Sequence, residues 1–233
     1  MKLAYESLER LSPRPPVDRL EYIAGACRDK IVLDIGCYDE TALVKVDTRH
    51  WLHGRIAEVA KRVVGIDSSS KIPEGGLKTA PNARIHRGDG VKLAPPDVAS
   101  AEIELIVAGE FIEHIEQPLG FFRALKKQFP GREAILSTPN GGQFANTLMG
   151  ALGREIQHHD HIQIFTYKIL NTLCLRAGFQ DWEIIPYRFY ATEMILTSTG
   201  LKRLTAQFTQ SVIRVVEHLF PLLSFGYIIR VRL

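Results

Sequence analysis

The stretch IVLDIGCYDETAL, from Ile31 to Leu43, begins as an apolar strand and runs into a glycine turn. A strand, a glycine-rich turn and a helix usually form a nucleotide cradle, because glycine lets the backbone approach the ligand and the helix N-terminus attracts negative charge. Only Gly36 is present here, and the next four residues read CYDE. The stretch therefore predicts either a site for a ligand that lacks a pyrophosphate or a degenerate site.

Short apolar runs alternate with helical patterns along the rest of the chain. Helical spacing extends, for example, from Thr166, an expected N-cap, to Gly178, an expected stop. Strand and helix in alternation predict a mostly parallel sheet with helices on both faces. We interpret seven apolar runs as its strands: KIVLDIG, RVVGID, ARIHRGD, IELIVAGE, EAILSTPN, DWEIIPYRF and YIIRVRL.

Composition limits the class of protein. With 233 residues, 45% of them hydrophobic, the chain is large enough to bury a full core, and we expect a single domain over residues 1–233. A net charge of +3 is too small to indicate nucleic-acid binding by itself. Three cysteines without metal-ligand spacing suit a reducing cytosol, and the first residues lack the apolar core of a secretory signal. We therefore expect a cytoplasmic location.

Four successive predicted strands end in a carboxylate: Asp34, Asp67, Asp89 and Glu110. Ligands of such sheets lie outside the carboxyl ends of the strands. Asp67 is placed to accept hydrogen bonds from both hydroxyls of a ribose, and Asp89 is placed to accept one from an adenine amino group. Together these two contacts would suit an adenosine. Two other interpretations stay open, since Asp34 can simply cap its turn and Asp89 can be an ordinary turn residue. A dinucleotide would need more glycines and a ribose acid about 20 residues beyond them.

In this order the motifs resemble those of class I S-adenosylmethionine-dependent methyltransferases. The matching segments are VLDIGC, the ribose acid Asp67, the adenine-side acid Asp89, IVAGEFIEHIEQP, LSTPN and HIQIFTYKILNTLCLRAGF. The resemblance implies a Rossmann-like sheet of seven strands, the last antiparallel, and S-adenosylmethionine as cofactor. The loop GCYDE departs from the family by two glycines, and Tyr38 or Asp39 is expected to reshape the pocket. The residues expected to bind the cofactor are Asp34, Gly36, Cys37, Asp67, Ser68, Asp89, Gly90 and Glu110.

The same resemblance implies a different role for each part of the domain. Residues 1–29 form a helical lead-in, residues 30–140 the cofactor-binding half, and residues 141–233 the acceptor-side lid and the C-terminal helix and strand. The expected reaction is methyl transfer to an oxygen or nitrogen of a small-molecule, glycan or lipid-linked acceptor. One alternative from another class is a non-catalytic module that keeps the fold, motivated by the missing glycines.

The segment EFIEHIE carries the candidate catalytic residues. Glu110, Glu113 and His114 occupy positions one, four and five, which lie on one face of a helical turn. An oxygen or nitrogen acceptor must lose a proton, and a histidine with a pKa near neutrality is the usual base, so His114 is the first candidate. In the alternative interpretation, Ile112 and Ile115 bury the turn and His114 caps a neighbouring carbonyl.

A metal site is a further alternative in this region. Together with His161, these three residues resemble the metal cluster of small-RNA 3'-terminal 2'-O-methyltransferases, and such ligands suit magnesium or manganese. Ordinary family members carry similar residues, and the chain shows no separate RNA-binding domain. We therefore predict no metal and no nucleic-acid partner, and expect HHDH, at 158–161, to form a lid over the acceptor site.

Two remaining features have open interpretations. His53, like His50 one turn earlier, either lines the pocket or lies at a solvated helix end. The tail from Leu201 carries basic residues and one acid, Glu217, among apolar residues. Such a helix can lie on a membrane surface, or it can belong, with an antiparallel last strand, to the completed sheet. Peripheral membrane contact thus stays possible, and the sequence does not predict an oligomeric state.

Overall fold

The computed structural model describes residues 3–38, 45, 48–94 and 98–233. Asp39, expected to reshape the pocket, lies outside these residues. Within them, eight strands form one sheet in the order β3-β4-β2-β1-β5-β6-β8-β7. The strands are β1 (Ile31–Ile35), β2 (Arg62–Asp67), β3 (Leu77–Ala80), β4 (Ala83–Arg87), β5 (Leu105–Gly109), β6 (Glu133–Pro139), β7 (Asp181–Tyr187) and β8 (Gly226–Arg232).

The predicted Rossmann-like fold is confirmed, with one strand more than expected. All seven predicted runs form strands, and the last, β8, pairs antiparallel with both β6 and β7. The additional strand is β3, which pairs antiparallel with β4 at the edge of the sheet. Only half-buried or exposed side chains occur in β3. An edge strand of this kind needs no apolar run, which explains why the sequence pattern did not reveal it.

Parallel pairing brings the candidate residues to one edge. Strands β4, β2, β1, β5 and β6 are mutually parallel, so their carboxyl ends lie along the same edge of the sheet. Strand β7 shares this direction, since it pairs antiparallel with β8, which is itself antiparallel to β6.

Seven helices flank the sheet in the described residues. They are α1 (Arg19–Ala26), α2 (Leu52–Ala57), α3 (Pro118–Gln128), α4 (Phe144–Ala151), α5 (Tyr167–Ala177), α6 (Thr192–Thr197) and α7 (Gly200–Leu219). The predicted limits of α5 are confirmed: the Thr166 side chain accepts from the Ile169 amide, and Gly178 ends the helix in the left-handed conformation with φ of 78°.

The core lies in two layers, one on each face of the sheet. Alternate residues of β1 divide between them, because successive side chains of a strand point to opposite faces. Leu33 packs in the cluster with Phe121 and Phe122 of α3, whereas Val32 packs with Ile23 of α1 and Ile56 of α2. Helices therefore cover both faces, as predicted. None of the described helices has both the length and the apolar character required to cross a membrane.

Candidate active site

The turn after β1 requires glycine at its first position. Gly36 has a φ of 67°, which L side chains rarely adopt, and its amide donates to the carbonyl of Ile66 at 2.9 Å. A Cβ atom at this position would lie 2.6 Å from the Cδ2 atom of Phe111. Gly36 therefore lets the turn pass close to the segment that follows β5.

The side chain of Cys37, directly after Gly36, packs against strand β2. Cys37 is buried, and its side chain covers Gly65, where a Cβ atom would lie 2.7 Å from the sulfur. The indole of Trp51 donates to the Cys37 carbonyl at 3.0 Å and fixes the turn from the other side. Burial raises the pKa of the Cys37 thiol well above its usual value, so the thiol stays neutral. A packed side chain therefore follows Gly36 directly in this turn.

Asp67 fixes the same turn from the end of β2. Its carboxylate accepts from the amide of Tyr38 at 2.9 Å and from the amide of Ser69 at 2.8 Å. The two bonds orient both oxygens at the carboxyl edge of the sheet. A carboxylate oxygen can accept more than one hydrogen bond, so this arrangement is compatible with further donors from a ligand.

An open groove of about 520 Å³ lies between the ends of β2 and β4. Ser68 and Asp89, both predicted to bind the cofactor, are in its lining. The Asp89 carboxylate also accepts from the Val91 amide at 2.9 Å, so it caps the short turn that follows, as the alternative interpretation held. Gly90 is buried, and a Cβ atom there would lie 2.6 Å from the Cγ2 atom of Ile35. The structure therefore groups Ser68 and Asp89 at one opening.

Asp34 lies deeper than the other predicted residues. Its side chain is almost fully buried beside His53, and the second ring nitrogen of His53 lies 2.9 Å from the Thr79 hydroxyl of β3. His53 is therefore not a solvated helix end. Its partners lie on strands β1 and β3, which are separated in the sheet by β4 and β2.

Glu110 is held by residues from two distant elements. Its backbone has a positive φ of 54°, and its side chain accepts from the Tyr187 hydroxyl at 2.9 Å. A guanidinium nitrogen of Arg19 lies 3.5 Å from the other carboxylate oxygen, and Arg19 also donates to the Ser137 hydroxyl. Sequence patterns do not indicate Arg19 or Tyr187, because neither lies in a motif and both reach Glu110 only through the fold.

Glu113 and His114 lie on a short 3-10 turn, Ile112–His114, and do not face the same way. The Glu113 side chain is 1% exposed, whereas His114 is exposed. Among the residues that the structure describes, neither carboxylate oxygen of Glu113 has a hydrogen-bond partner. Burial raises the pKa of Glu113 to about 8, and the nearby charge of Glu110 acts in the same direction.

His114 meets the segment that was predicted to be a lid. Its Nδ1 atom lies 3.1 Å from the Asp160 carbonyl, which fixes Nδ1–H as the donor and leaves Nε2 with its lone pair. The ring of His161 stands edge-on to it, with 4.8 Å between centroids. Burial and the neighbouring imidazoles lower the pKa of His161. Both features of the alternative interpretation are present, since Ile112 and Ile115 are buried.

The backbone of Glu113 anchors the same segment. Its carbonyl accepts from the amides of Ile162 and Gln163 at 3.0 and 3.1 Å. Potential ligand atoms of Glu113, His114 and His161 consequently lie within 4.8 Å of one another. The fold thus joins two motifs that are separated by almost fifty residues, and Glu110 lies outside this group of three.

Comparison with known proteins identifies a family and several solved structures with a similar fold. A family model described as a methyltransferase domain matches residues 6–184. No curated protein matches the chain. Among solved structures, a SAM-dependent methyltransferase from Archaeoglobus fulgidus matches with a TM-score of 0.54 at 15% identity, over 91% of this chain and 90% of that one. A SAM-dependent methyltransferase from Mesorhizobium loti matches with a TM-score of 0.51 at 18% identity, over 92% and 98%.

The small RNA methyltransferase HEN1 is also similar, with a TM-score of 0.55 and 18% identity. The match covers 97% of this chain but only 27% of HEN1. At these identities, the likeness to the solved structures concerns the fold alone.

Proposed function

Because the chain belongs to the class I S-adenosylmethionine-dependent methyltransferases, we propose that it methylates an oxygen or nitrogen atom of a small-molecule, glycan or lipid-linked acceptor, with His114 as the base. Family membership gives the cofactor and the type of reaction. We propose the acceptor class and the roles of individual residues, and the geometry around His114 supports them.

The carboxyl edge of the sheet fits the cofactor. Asp67 presents an oriented carboxylate for a ribose, and Ser68 and Asp89 line a groove with acceptors for an adenine amino group. Gly36 supplies the close backbone approach that the turn needs. When bound, S-adenosylmethionine supplies an electrophilic methyl group on a sulfonium. We assign the residues of this edge to binding and orientation.

His114 is suited to take a proton from the acceptor. The Asp160 carbonyl holds its Nδ1–H, so Nε2 is the basic atom on an exposed ring. We propose that His161 lines the acceptor side next to it, where burial and the neighbouring imidazoles lower its pKa and so favour its neutral form. Glu110, fixed by Arg19 and Tyr187, provides a rigid carboxylate at the same edge. Alignment of the acceptor with the methyl group then accounts for much of the rate.

A panel of hydroxyl and amine acceptors, including glycans and lipid-linked compounds, tests the proposal with methyl-labelled cofactor. Once an acceptor is found, His114→Ala is expected to lower the rate about a hundredfold or more, while calorimetry shows unchanged cofactor affinity. His159→Ala is the matched control, because His159 lies on the same segment with its side chain 79% exposed. A His114→Ala variant with wild-type turnover would exclude His114 as the base.

One observation favours a second candidate function, methylation of an RNA 2'-hydroxyl with the help of a divalent metal. The Glu113 carboxylate is buried without a hydrogen-bond partner in the described residues, and two imidazoles lie within reach of it. A carboxylate and two histidines, Glu113, His114 and His161, form a donor set that fits a divalent ion. Such an ion would supply Lewis-acid activation of a hydroxyl. The two candidates differ in their response to a chelator.

A further inference from the structure

Helix α7 exposes its apolar side chains. Over its 20 residues, apolar residues recur every three or four positions, and the side chains of this row face solvent. Phe208 is 71% exposed and Leu201 is 79% exposed. The row is called the apolar stripe here and consists of Leu201, Leu204, Phe208, Val212, Val215 and Leu219.

Two charged side chains of α7, Glu217 and Arg214, hold the helix against the rest of the protein. Glu217 is 1% exposed, and its carboxylate accepts from the backbone amides of Phe189 and Phe225 at 2.8 to 3.1 Å. Arg214 donates to the Phe189 carbonyl, and its guanidinium lies 4.2 Å above the ring of Tyr190. These directional contacts fix the rotation of the helix. The apolar stripe therefore faces outward in a defined orientation.

Neighbouring helices add to the exposed apolar area. Helices α4 and α6 both pack against α7. Exposed there are Leu148 of α4, Leu152 directly after α4, and Met194 of α6. Exposed apolar side chains that are concentrated on three adjacent helices are typical of an interaction site.

The charges on α7 select the kind of partner. Its exposed charged residues are Lys202 and Arg203, and its only acid, Glu217, is buried. A second copy of α7 would bring no exposed acid of its own to these basic residues. The surface of an anionic bilayer offers both an apolar interior for the stripe and negative charge for the basic residues.

We propose that α7 lies in the surface of an anionic lipid bilayer, with the apolar stripe inserted between the lipids. The helix is tied to the edge of the sheet that carries the candidate active site. Phe189 and Phe225, which bind Glu217, lie two residues after and one residue before the paired residues Tyr187 and Gly226. Tyr187 in turn donates to Glu110. Docking would thus bring that edge close to the membrane.

Vesicle flotation with the full chain tests this proposal. We expect binding to vesicles of phosphatidylcholine and phosphatidylglycerol and much weaker binding to phosphatidylcholine alone. Phe208→Asp should reduce binding about tenfold or more, because it places a charge in the apolar stripe. Gln207→Asp is the matched control, since it adds the same charge to an adjacent exposed residue outside the stripe. Circular dichroism and calorimetry with S-adenosylmethionine check that each variant is folded.

Three results would overturn the proposal: no binding of the wild type to either vesicle, equal binding of Phe208→Asp and the wild type, or equal binding to both lipid mixtures. Sedimentation velocity identifies the competing partner. A wild-type dimer that Phe208→Asp dissociates, together with no vesicle binding, would assign the stripe to a second copy of the chain. Vesicle binding and methyl transfer are measured separately, so failure of one does not imply failure of the other.

Discussion

The Nδ1 atom of His53 lies 2.8 Å from the Oδ2 atom of Asp34, and both side chains are almost fully buried. This pair joins helix α2 to strand β1, two residues before Gly36. A buried carboxylate needs such a partner, because an unpaired charge in the interior is costly.

Loss of this partner should destabilise the fold. We expect His53→Ala to lower the free energy of unfolding by roughly 2–4 kcal/mol, because it leaves the Asp34 carboxylate buried with its hydrogen bond unmade. Urea unfolding measures the change. His159→Ala, at an exposed site, should stay within about 0.5 kcal/mol of the wild type. Equal losses in the two variants would contradict a structural role for the pair.

Asp67 should matter for cofactor affinity. Asp67→Ala removes the acceptor proposed for the ribose and also two bonds to the backbone of the turn, at Tyr38 and Ser69. We expect calorimetry to show binding of S-adenosylmethionine weaker by roughly 2–4 kcal/mol. Glu74→Ala, which alters the lining of the same groove, should bind nearly as the wild type does. Unchanged affinity in Asp67→Ala would refute the assignment.

A chelator separates the two candidate functions. If His114 acts as a simple base, removal of divalent ions should leave turnover unchanged, because proton transfer to imidazole needs no metal. This is the result we expect. Titration with manganese provides a second readout: heat of binding in the wild type that disappears in Glu113→Gln would favour the metal. Turnover that is lost on chelation and restored by magnesium or manganese would establish the second candidate.

Glu217 should make stability depend on pH. Burial raises the pKa of Glu217 to about 7, even though the amides of Phe189 and Phe225 favour its charged form. A carboxyl group whose pKa is raised on folding stabilises the protein below the pKa of the unfolded chain, about 4.3, and this stability is lost as the pH rises through 7. We expect the contribution to fall by roughly 2–4 kcal/mol between pH 5 and pH 8.

Glu217→Gln provides the comparison for this pH effect. The amide oxygen of glutamine can still accept from the backbone, but the side chain no longer titrates. Urea unfolding at several pH values should therefore show a flatter profile for Glu217→Gln. Parallel profiles for the two proteins would mean that Glu217 does not titrate in this range.

Most of the sheet follows from local pattern. Each predicted run forms a strand because alternating or continuous apolar residues indicate a buried strand. The acids lie at the strand ends because each lies at or near the end of such a run in the sequence. The limits of the helix from Tyr167 to Ala177 follow from Thr166 and Gly178 in the same way. The edge strand Leu77–Ala80 leaves no such pattern, because its side chains are not buried.

Contacts between segments that are distant in the sequence could not be predicted from the sequence. The sequence identified Glu110, Glu113 and His114 as candidates, but only the fold brings Arg19 and Tyr187 to Glu110, and His161 to His114. Partners of this kind depend on the crossing of separate elements, which no local spacing encodes.

The C-terminal helix shows the same limit. Its apolar and polar residues predict an amphipathic helix, and this much is contained in the sequence. The periodicity of apolar residues does not predict which side of the helix the rest of the protein covers. The tertiary structure decides that point, because hydrogen bonds to buried Glu217 turn its side of the helix inward and leave Phe208 and the rest of the apolar stripe exposed.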